Sequence, residues 1–154
     1  MTKFEIKDGI AIIPEGITDI PITAFRECEK VRSVIIPRSV ETIGDHAFVH
    51  CHWLENVVIH NGVKIIGCGA FSSCTALKSI TIPDSVTDIG YDVFAGCTSL
   101  ESVTILFRVK LKHGVFRECT SLKAINVPKD CVDFYKECLP NDLWQFIEVF
   151  DMFD

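Results

Sequence analysis

No stretch of this chain is apolar for long enough to cross a membrane, and its start shows neither a basic segment leading into an apolar one nor a small-residue cleavage site. It therefore reads as soluble and unsecreted, without membrane insertion. Positive charge is in deficit. Fifteen Lys and Arg stand against 21 Asp and Glu, a formal net charge of −6, whereas broad nucleic-acid binding wants clustered positive charge, so no nucleic-acid partner is expected. The chain also lacks a glycine-rich phosphate loop, a serine nucleophile elbow and recurring carboxylate pairs placed to face one another. Enzyme activity and a bound cofactor are not expected.

What is present is repetition. The step from phenylalanine to cysteine recurs as Phe25/Cys28, Phe48/Cys51, Phe71/Cys74, Phe94/Cys97 and Phe116/Cys119, with periods of 23, 23, 23 and then 22 residues. A period in this range marks a solenoid, whose units bury their apolar faces only by stacking on neighbours. The units run Pro14–Ile36, Pro37–Ile59, His60–Ile82, Pro83–Ile105 and Leu106–Val127. Each opens with a turn and continues through an apolar pair such as Val40 and Ile43. Gly44, Gly67 and Gly90 follow that pair in three units, where tolerance of positive φ would let the chain turn sharply. The Phe-to-Cys spacing puts both side chains on one side of a helical or 3₁₀ turn.

Each unit closes on a strand with alternating apolar residues: Val34/Ile36, Val57/Ile59, Ile80/Ile82, Val103/Ile105 and Ile125/Val127. Gly9 to Ile13 supplies a sixth strand at the front. Strands recurring once per turn of a solenoid pair in parallel, about 4.8 Å apart. A neighbouring column, Arg32, Glu55, Lys78, Glu101 and Lys123, alternates in sign at every step. Stacked opposite charges support that register.

Eight cysteines invite a disulfide reading, which the spacing opposes. Five of them occupy one repeat position, where small apolar thiols suit an interior ladder, and an odd number cannot all pair among themselves. Cys131 and Cys138 lie seven apart in an expected helix, about 10.5 Å along its axis, too far for a bridge. Reduced thiols fit a reducing compartment, and the chain reads as cytoplasmic on this ground.

The phrase Ile-Pro-Asp-Ser-Val-Thr-Asp-Ile-Gly-Tyr-Asp-Val-Phe-Ala-Gly-Cys-Thr-Ser-Leu-Glu-Ser-Val-Thr-Ile, residues 82 to 105, resembles the BspA-like class of leucine-rich repeats. The resemblance runs from about Gly9 onward. The tail, with Val127-Pro128, Val132, Tyr135, Trp144 and Phe146, is similar to the closing segment of many members. It implies an α/β repeat solenoid, curved, with a parallel sheet on the concave side and short strands and helical turns on the convex side. It also implies protein ligands, adhesion in some members, and an extracellular or surface setting as an alternative to the cytoplasm.

Within a single domain of 154 residues, residues 1–13 are expected as a hairpin cap, 14–127 as the five repeats and 128–154 as a second cap. In the second cap a short helix over Asp130–Leu139 stops at Pro140, and Trp144 to Phe150 lies across the last repeat.

His46, His50, Cys51 and His52 form the densest group of metal-capable side chains. Cys51 is the repeat's core cysteine, and no fourth ligand is evident, so no metal site is expected. A cysteine nucleophile is not expected either, because a core-filling thiol lacks exposure and a positioned base.

The remaining candidates are on the surface. The outward column of the concave strands reads Ile12, Ile35, Val58, Thr81, Thr104, Asn126, passing from apolar to polar. Trp53 and Phe107 are aromatic where other repeats carry small or polar residues, and either could anchor a partner. The fifth repeat is one residue short, with Leu106-Phe107-Arg108 in place of the proline turn, which could mark a bulge, a dimer contact or drift.

The sequence thus reads as a non-catalytic module binding a protein partner through the concave sheet, monomeric or weakly dimeric. The alternative is a self-assembling unit whose Ile12/Ile35/Val58 strip forms a homodimer.

Overall fold

The computed structural model describes residues 4–152; residues 1–3 and 153–154, the outermost parts of the two expected caps, lie outside the described residues. Strands follow in the order β1 (Glu5–Lys7), β2 (Ile10–Ile12), β3 (Asp19–Ile20), β4 (Ser33–Ile36), β5 (Thr42–Ile43), β6 (Asn56–Ile59), β7 (Ile65–Ile66), β8 (Ser79–Ile82), β9 (Asp88–Ile89), β10 (Ser102–Ile105) and β11 (Ala124–Pro128). A 3₁₀ turn (Lys129–Cys131), helix α1 (Val132–Cys138), a 3₁₀ segment (Asn141–Phe146) and β12 (Ile147–Phe150) complete the chain. Each coil gives a longer strand to one face and, up to β9, a two-residue strand to the other.

Apart from the antiparallel β1–β2 hairpin, the strands of both faces pair in parallel, with a register that advances by one repeat per strand. On the short-strand face β3, β5, β7 and β9 pair in order, Ile20 beside Ile43 and Ile66 beside Ile89. On the long-strand face Val34 pairs with Val57, and Val103 pairs with both Ile80 and Ile125. The expectation of six strands in one continuous stack needs correction. The long strands form two four-stranded sheets, β1-β2-β4-β6 and β8-β10-β11-β12, with no ladder joining β6 to β8 among the described residues. Val57, Ile59 and Ile80 beside this seam are slightly less buried than Val34, Ile36 and Val103. Side-chain packing carries the stack across the same step, because Phe48 stacks on Phe71 with centroids 5.2 Å apart and Cys74 bonds to Phe48.

Between the faces the core is a set of columns. Phe4, Phe25, Phe48, Phe71, Phe94 and Phe116 form one stack, with successive centroids 5.3, 4.9, 5.2, 5.9 and 6.1 Å apart and rings within 16° of parallel. The cysteine column is a ladder as well as a filler. The thiols of Cys51, Cys74, Cys97 and Cys119 each donate to the carbonyl of the phenylalanine one coil back, at 3.0, 3.2, 3.1 and 3.1 Å. All eight cysteines are free. Each fully buried Phe or Leu in these columns contributes about 1.5–3 kcal/mol from apolar burial.

The turn between the faces is not helical. It is a run of overlapping turns in which Ala24 N–H donates to Pro21, Arg26 to Thr23 and Cys28 to Phe25, and the later coils follow the same pattern. Left-handed residues punctuate it in two columns: Thr23, His46, Gly69, Asp92 and Gly114, then Glu27, His50, Ser73, Gly96 and Glu118. Among the described residues the α-helical ones are confined to α1. Gly44, Gly67 and Gly90 are absent from these columns, which corrects the expectation that they supply positive φ. Their need is space. A Cβ on Gly44 would lie 2.7 Å from both the Ile20 carbonyl oxygen and the Ile22 nitrogen, and one on Gly90 would strike the Cys68 backbone.

The fifth coil departs from this plan for two visible reasons. The lost residue falls between buried Val109 and Leu111, where other units carry the short strand, and Lys112 occupies the glycine position. The short-strand ladder accordingly ends at β9. Lys112 reaches back to Asp88, Nζ to Oδ1 2.8 Å. The altered turn at Leu106–Val109 is held from outside the repeats by the fully buried Tyr135 of α1. Its hydroxyl donates to the Phe107 carbonyl and accepts from the Val109 N–H at 3.1 Å.

Candidate functional site

The long-strand face sorts its side chains by the pleat: Val34, Ile36, Val57 and Ile59 point to the core, while Ile35 and Val58 project outward. Ile35 and Val58 are direct cross-strand partners. Ile12 stands one position beyond the Ala11–Val34 pair, in line with Ile35. Ile12, Ile35 and Val58 are 40%, 52% and 46% exposed, and Ile10, which the outward column omitted, adds a fourth aliphatic chain at 47%. Its signal was the β2 alternation itself, since Ile10 and Ile12 flank buried Ala11.

Thr81, Thr104 and Asn126 share the second sheet, Thr104 registering with both of the others. The Asn126 amide donates to the Thr104 hydroxyl at 3.2 Å. The change from apolar to polar coincides with the seam between β6 and β8. Within this column the aliphatic residues therefore lie on the first sheet and the hydroxyl and amide residues on the second.

Trp53 flanks the apolar half. Its ring is 51% exposed and lies under the Arg32 guanidinium, 5.3 Å from the centroid, and Arg32 also pairs with Glu55 at 3.6 Å. The alternating charge column forms this pair and Lys123–Glu101 at 3.6 Å. Such exposed pairs are worth about 0–1 kcal/mol and serve register more than stability. Phe107 is 57% exposed but belongs elsewhere. It stands on the turn after β10 and shares a cleft of about 380 Å³ with Leu106, Pro128 and Met152.

His50 and His52 rings lie 5.7 Å apart, and His46 sits in a left-handed turn position. Among the described residues no three His, Cys, Asp or Glu come together in an arrangement able to hold a metal ion. Burial pushes the thiols of Cys51, Cys97 and Cys119 up to about 12 and raises that of Cys74 well above its ordinary value. Thiols so disposed are structural donors and poor nucleophiles. No helix among the described residues is long and apolar enough to cross a membrane.

The chain belongs to the BspA type leucine rich repeat family, whose profile matches in six copies over residues 9–111 and 47–149. None of the curated proteins compared with it gives a match. Among solved structures it is similar to the T. pallidum leucine rich repeat protein TpLRR, at 31% identity and a TM-score of 0.69 over 77% of this chain and 58% of that one. It is also similar to a leucine rich cell surface protein from Faecalibacterium prausnitzii, at 31% identity and a TM-score of 0.75 over 92% of this chain and 35% of that one. The pneumococcal vaccine antigen PcpA, at 20% identity and a TM-score of 0.76 over 94% of this chain and 42% of that one, shares the fold. The chain thus spans about a third to three fifths of the length of these three proteins.

Proposed function

We propose that this BspA-type leucine-rich repeat chain is a non-catalytic protein-binding module. In this reading residues 14–127 form a curved body capped by residues 1–13 and 128–154, with the long-strand face on its concave side. The partner lies along Ile12, Ile35 and Val58, with Trp53 at the rim and Thr81, Thr104 and Asn126 supplying polar contacts. The observation that carries it is the row of aliphatic side chains, Ile10, Ile12, Ile35 and Val58, each 40–52% exposed on a rigid sheet. Contiguous apolar surface of this kind marks interaction sites, and an exposed Trp stacked by Arg matches the residue types that dominate binding hot spots. The cell surface protein and the vaccine antigen among the similar structures favour a surface setting and an adhesion or scaffold role.

The test is capture of partners by the wild type and by an Ile35→Glu/Val58→Lys variant, after both are found folded by circular dichroism. A partner lost only with the variant supports the reading. Identical capture by both forms overturns it. The second reading, a homodimer through the same strip, rests on the same exposed aliphatic row and predicts that Ile35→Glu converts a dimer to monomer in light scattering.

A further inference from the structure

At the entrance to the long strands, two successive N–H groups donate to one carbonyl of the coil before. Arg32 and Ser33 donate to Gly9 at 2.7 and 3.1 Å, and Glu55 and Asn56 to Arg32 at 2.8 and 3.2 Å. Glu101 and Ser102 donate to Lys78 at 2.8 and 3.3 Å, and Lys123 and Ala124 to Glu101 at 2.8 and 3.1 Å. The step from coil two to coil three breaks this pattern. Among the described residues Lys78 and Ser79 make no such bond to Glu55, and no ladder joins the strands β6 and β8 that follow. The charge column divides at the same place. Arg32 holds Glu55 and Lys123 holds Glu101, each between coils whose long strands pair, and no ion pair joins Glu55 to Lys78 among the described residues. At the far end of β8, Pro83 has no N–H to give Ile59, whereas His60 and Leu106 donate to Ile36 and Ile82, both at 3.1 Å.

The opposite side of the same step is complete. Thr42 and Ile43 register with Ile65 and Ile66, and the Gly67 N–H donates to Ile43 at 2.8 Å. Through the turn, His46, Phe48 and His50 donate to Cys68, Ala70 and Ser72 at 2.9, 2.8 and 2.9 Å. Lys64 also reaches Glu41 at 3.4 Å. Backbone bonds therefore stitch coils two and three along the short-strand face and the turn. Towards the long-strand face the step is held by side-chain contacts, among them Phe48 on Phe71 and the Cys74 thiol on the Phe48 carbonyl.

We propose that this step is a hinge, at which the coils up to Ile59 and those from His60 onward swing apart on the long-strand face about an axis along the paired strands β5 and β7. Local opening is most frequent where the fewest bonds must break, and the long-strand side of this step has no ladder to break. The swing separates the Cys74 thiol from Phe48 and uncovers it. The equivalent thiols of Cys51 and Cys97 span steps whose long strands pair in full. The swing also changes the distance between Val58, which ends the aliphatic run, and Thr81, which begins the polar one. The hinge operates whichever surface meets a partner, so it stands apart from the function proposed above.

Thiol labelling of the folded 154-residue chain with iodoacetamide, read cysteine by cysteine in mass spectrometry, tests the hinge. Cys51, Cys74 and Cys97 are all fully buried, and burial raises all three thiols above their ordinary value, so the closed structure gives Cys74 no lead. The expected result is Cys74 labelled at least about fivefold faster than Cys51 and Cys97. A Val58→Cys/Thr81→Cys pair, closed by oxidation or by a bifunctional thiol reagent before labelling, should abolish that lead. The same closure at Ile35→Cys/Val58→Cys, on a step that is already paired, should preserve it. Circular dichroism checks that each variant is folded. Labelling of Cys74 no faster than Cys51 and Cys97 overturns the proposal. So does a lead that persists in the chain bridged from position 58 to position 81, because exposure then arises without the two halves separating.

Discussion

The Cys74 thiol donates to the carbonyl of Phe48, one coil back, at 3.2 Å, and that bond ties neighbouring coils together across the step from β6 to β8, where no ladder joins the long strands among the described residues. The Phe48 and Phe71 rings stack over the same step. The repeat cysteine is therefore a hydrogen-bonding side chain of the right size for a closed column, and its low reactivity follows from the burial that makes it useful.

Removing that donor while shortening the side chain costs the Phe48 carbonyl one of its two hydrogen bonds, leaving the one from the Cys51 N–H at 3.2 Å, and opens a small void beside it. Cys74→Ala is expected to cost about 1–3 kcal/mol in urea denaturation. Cys28→Ala should cost less, since Cys28 is only partly buried and heads the ladder with no thiol bond to a phenylalanine among the described residues. Equal losses at the two positions would show that the thiol bond contributes nothing beyond volume.

Alkaline pH should loosen the fold through the same column. Cys51, Cys97 and Cys119 rise from 9.0 to about 12, and Tyr135 rises from 10.0 to about 12, all through burial. Above pH 9 the unfolded chain gives up these protons while the folded chain keeps them, so the unfolded state binds fewer protons and stability falls as pH rises. The contribution is whole below about pH 9 and is lost towards pH 12, at up to about 1.4 kcal/mol per pH unit for each group. Thermal melts should show a plateau below that window and a steep decline within it. Cys97→Val should flatten the decline.

The glycine after the apolar pair in coils two, three and four is required by the neighbouring backbone. Gly44→Ala would bring a methyl group to 2.7 Å from the Ile20 oxygen and the Ile22 nitrogen, so coil two must shift away from coil one. A loss of about 1–3 kcal/mol is expected by chemical denaturation. A neutral substitution would contradict the close approach.

Tyr135→Phe keeps the ring and deletes the hydroxyl that bridges Phe107 and Val109. The buried Val109 N–H and the part-buried Phe107 carbonyl then lose this partner, at about 1–3 kcal/mol. Amide exchange at Val109 should quicken more than exchange in β4. A uniform change across the chain would argue that Tyr135 does not act on this turn.

The columns were plain in the sequence because each repeats one residue type at one spacing, so Phe, Cys and the strand aliphatics could be stacked on paper. Four features were not. Gly44, Gly67 and Gly90 looked like turn residues, since a glycine needed for space and one needed for φ are written alike. The true left-handed positions were hidden, because His46, His50, Asp92 and Glu118 occupy them without being glycine. The oddity of Leu106-Phe107-Arg108 had no explanation inside its own repeat, because its partner Tyr135 comes from α1. The aliphatic row on the long strands followed directly from alternation, but its confinement to one of two sheets depends on pairing geometry that no residue type marks.

Site-specific photo-crosslinking tests the binding face most directly. A benzoylphenylalanine placed at Val58 on the long-strand face, and another at Ile65, exposed on the short-strand face, report contact without disturbing the core. Incubated with extracts and surface proteins of the source cells, the Val58 position should yield a discrete crosslinked protein that Ile65 does not. Crosslinking from Ile65 alone, or equally from both, would contradict the assignment of the long-strand face as the binding surface.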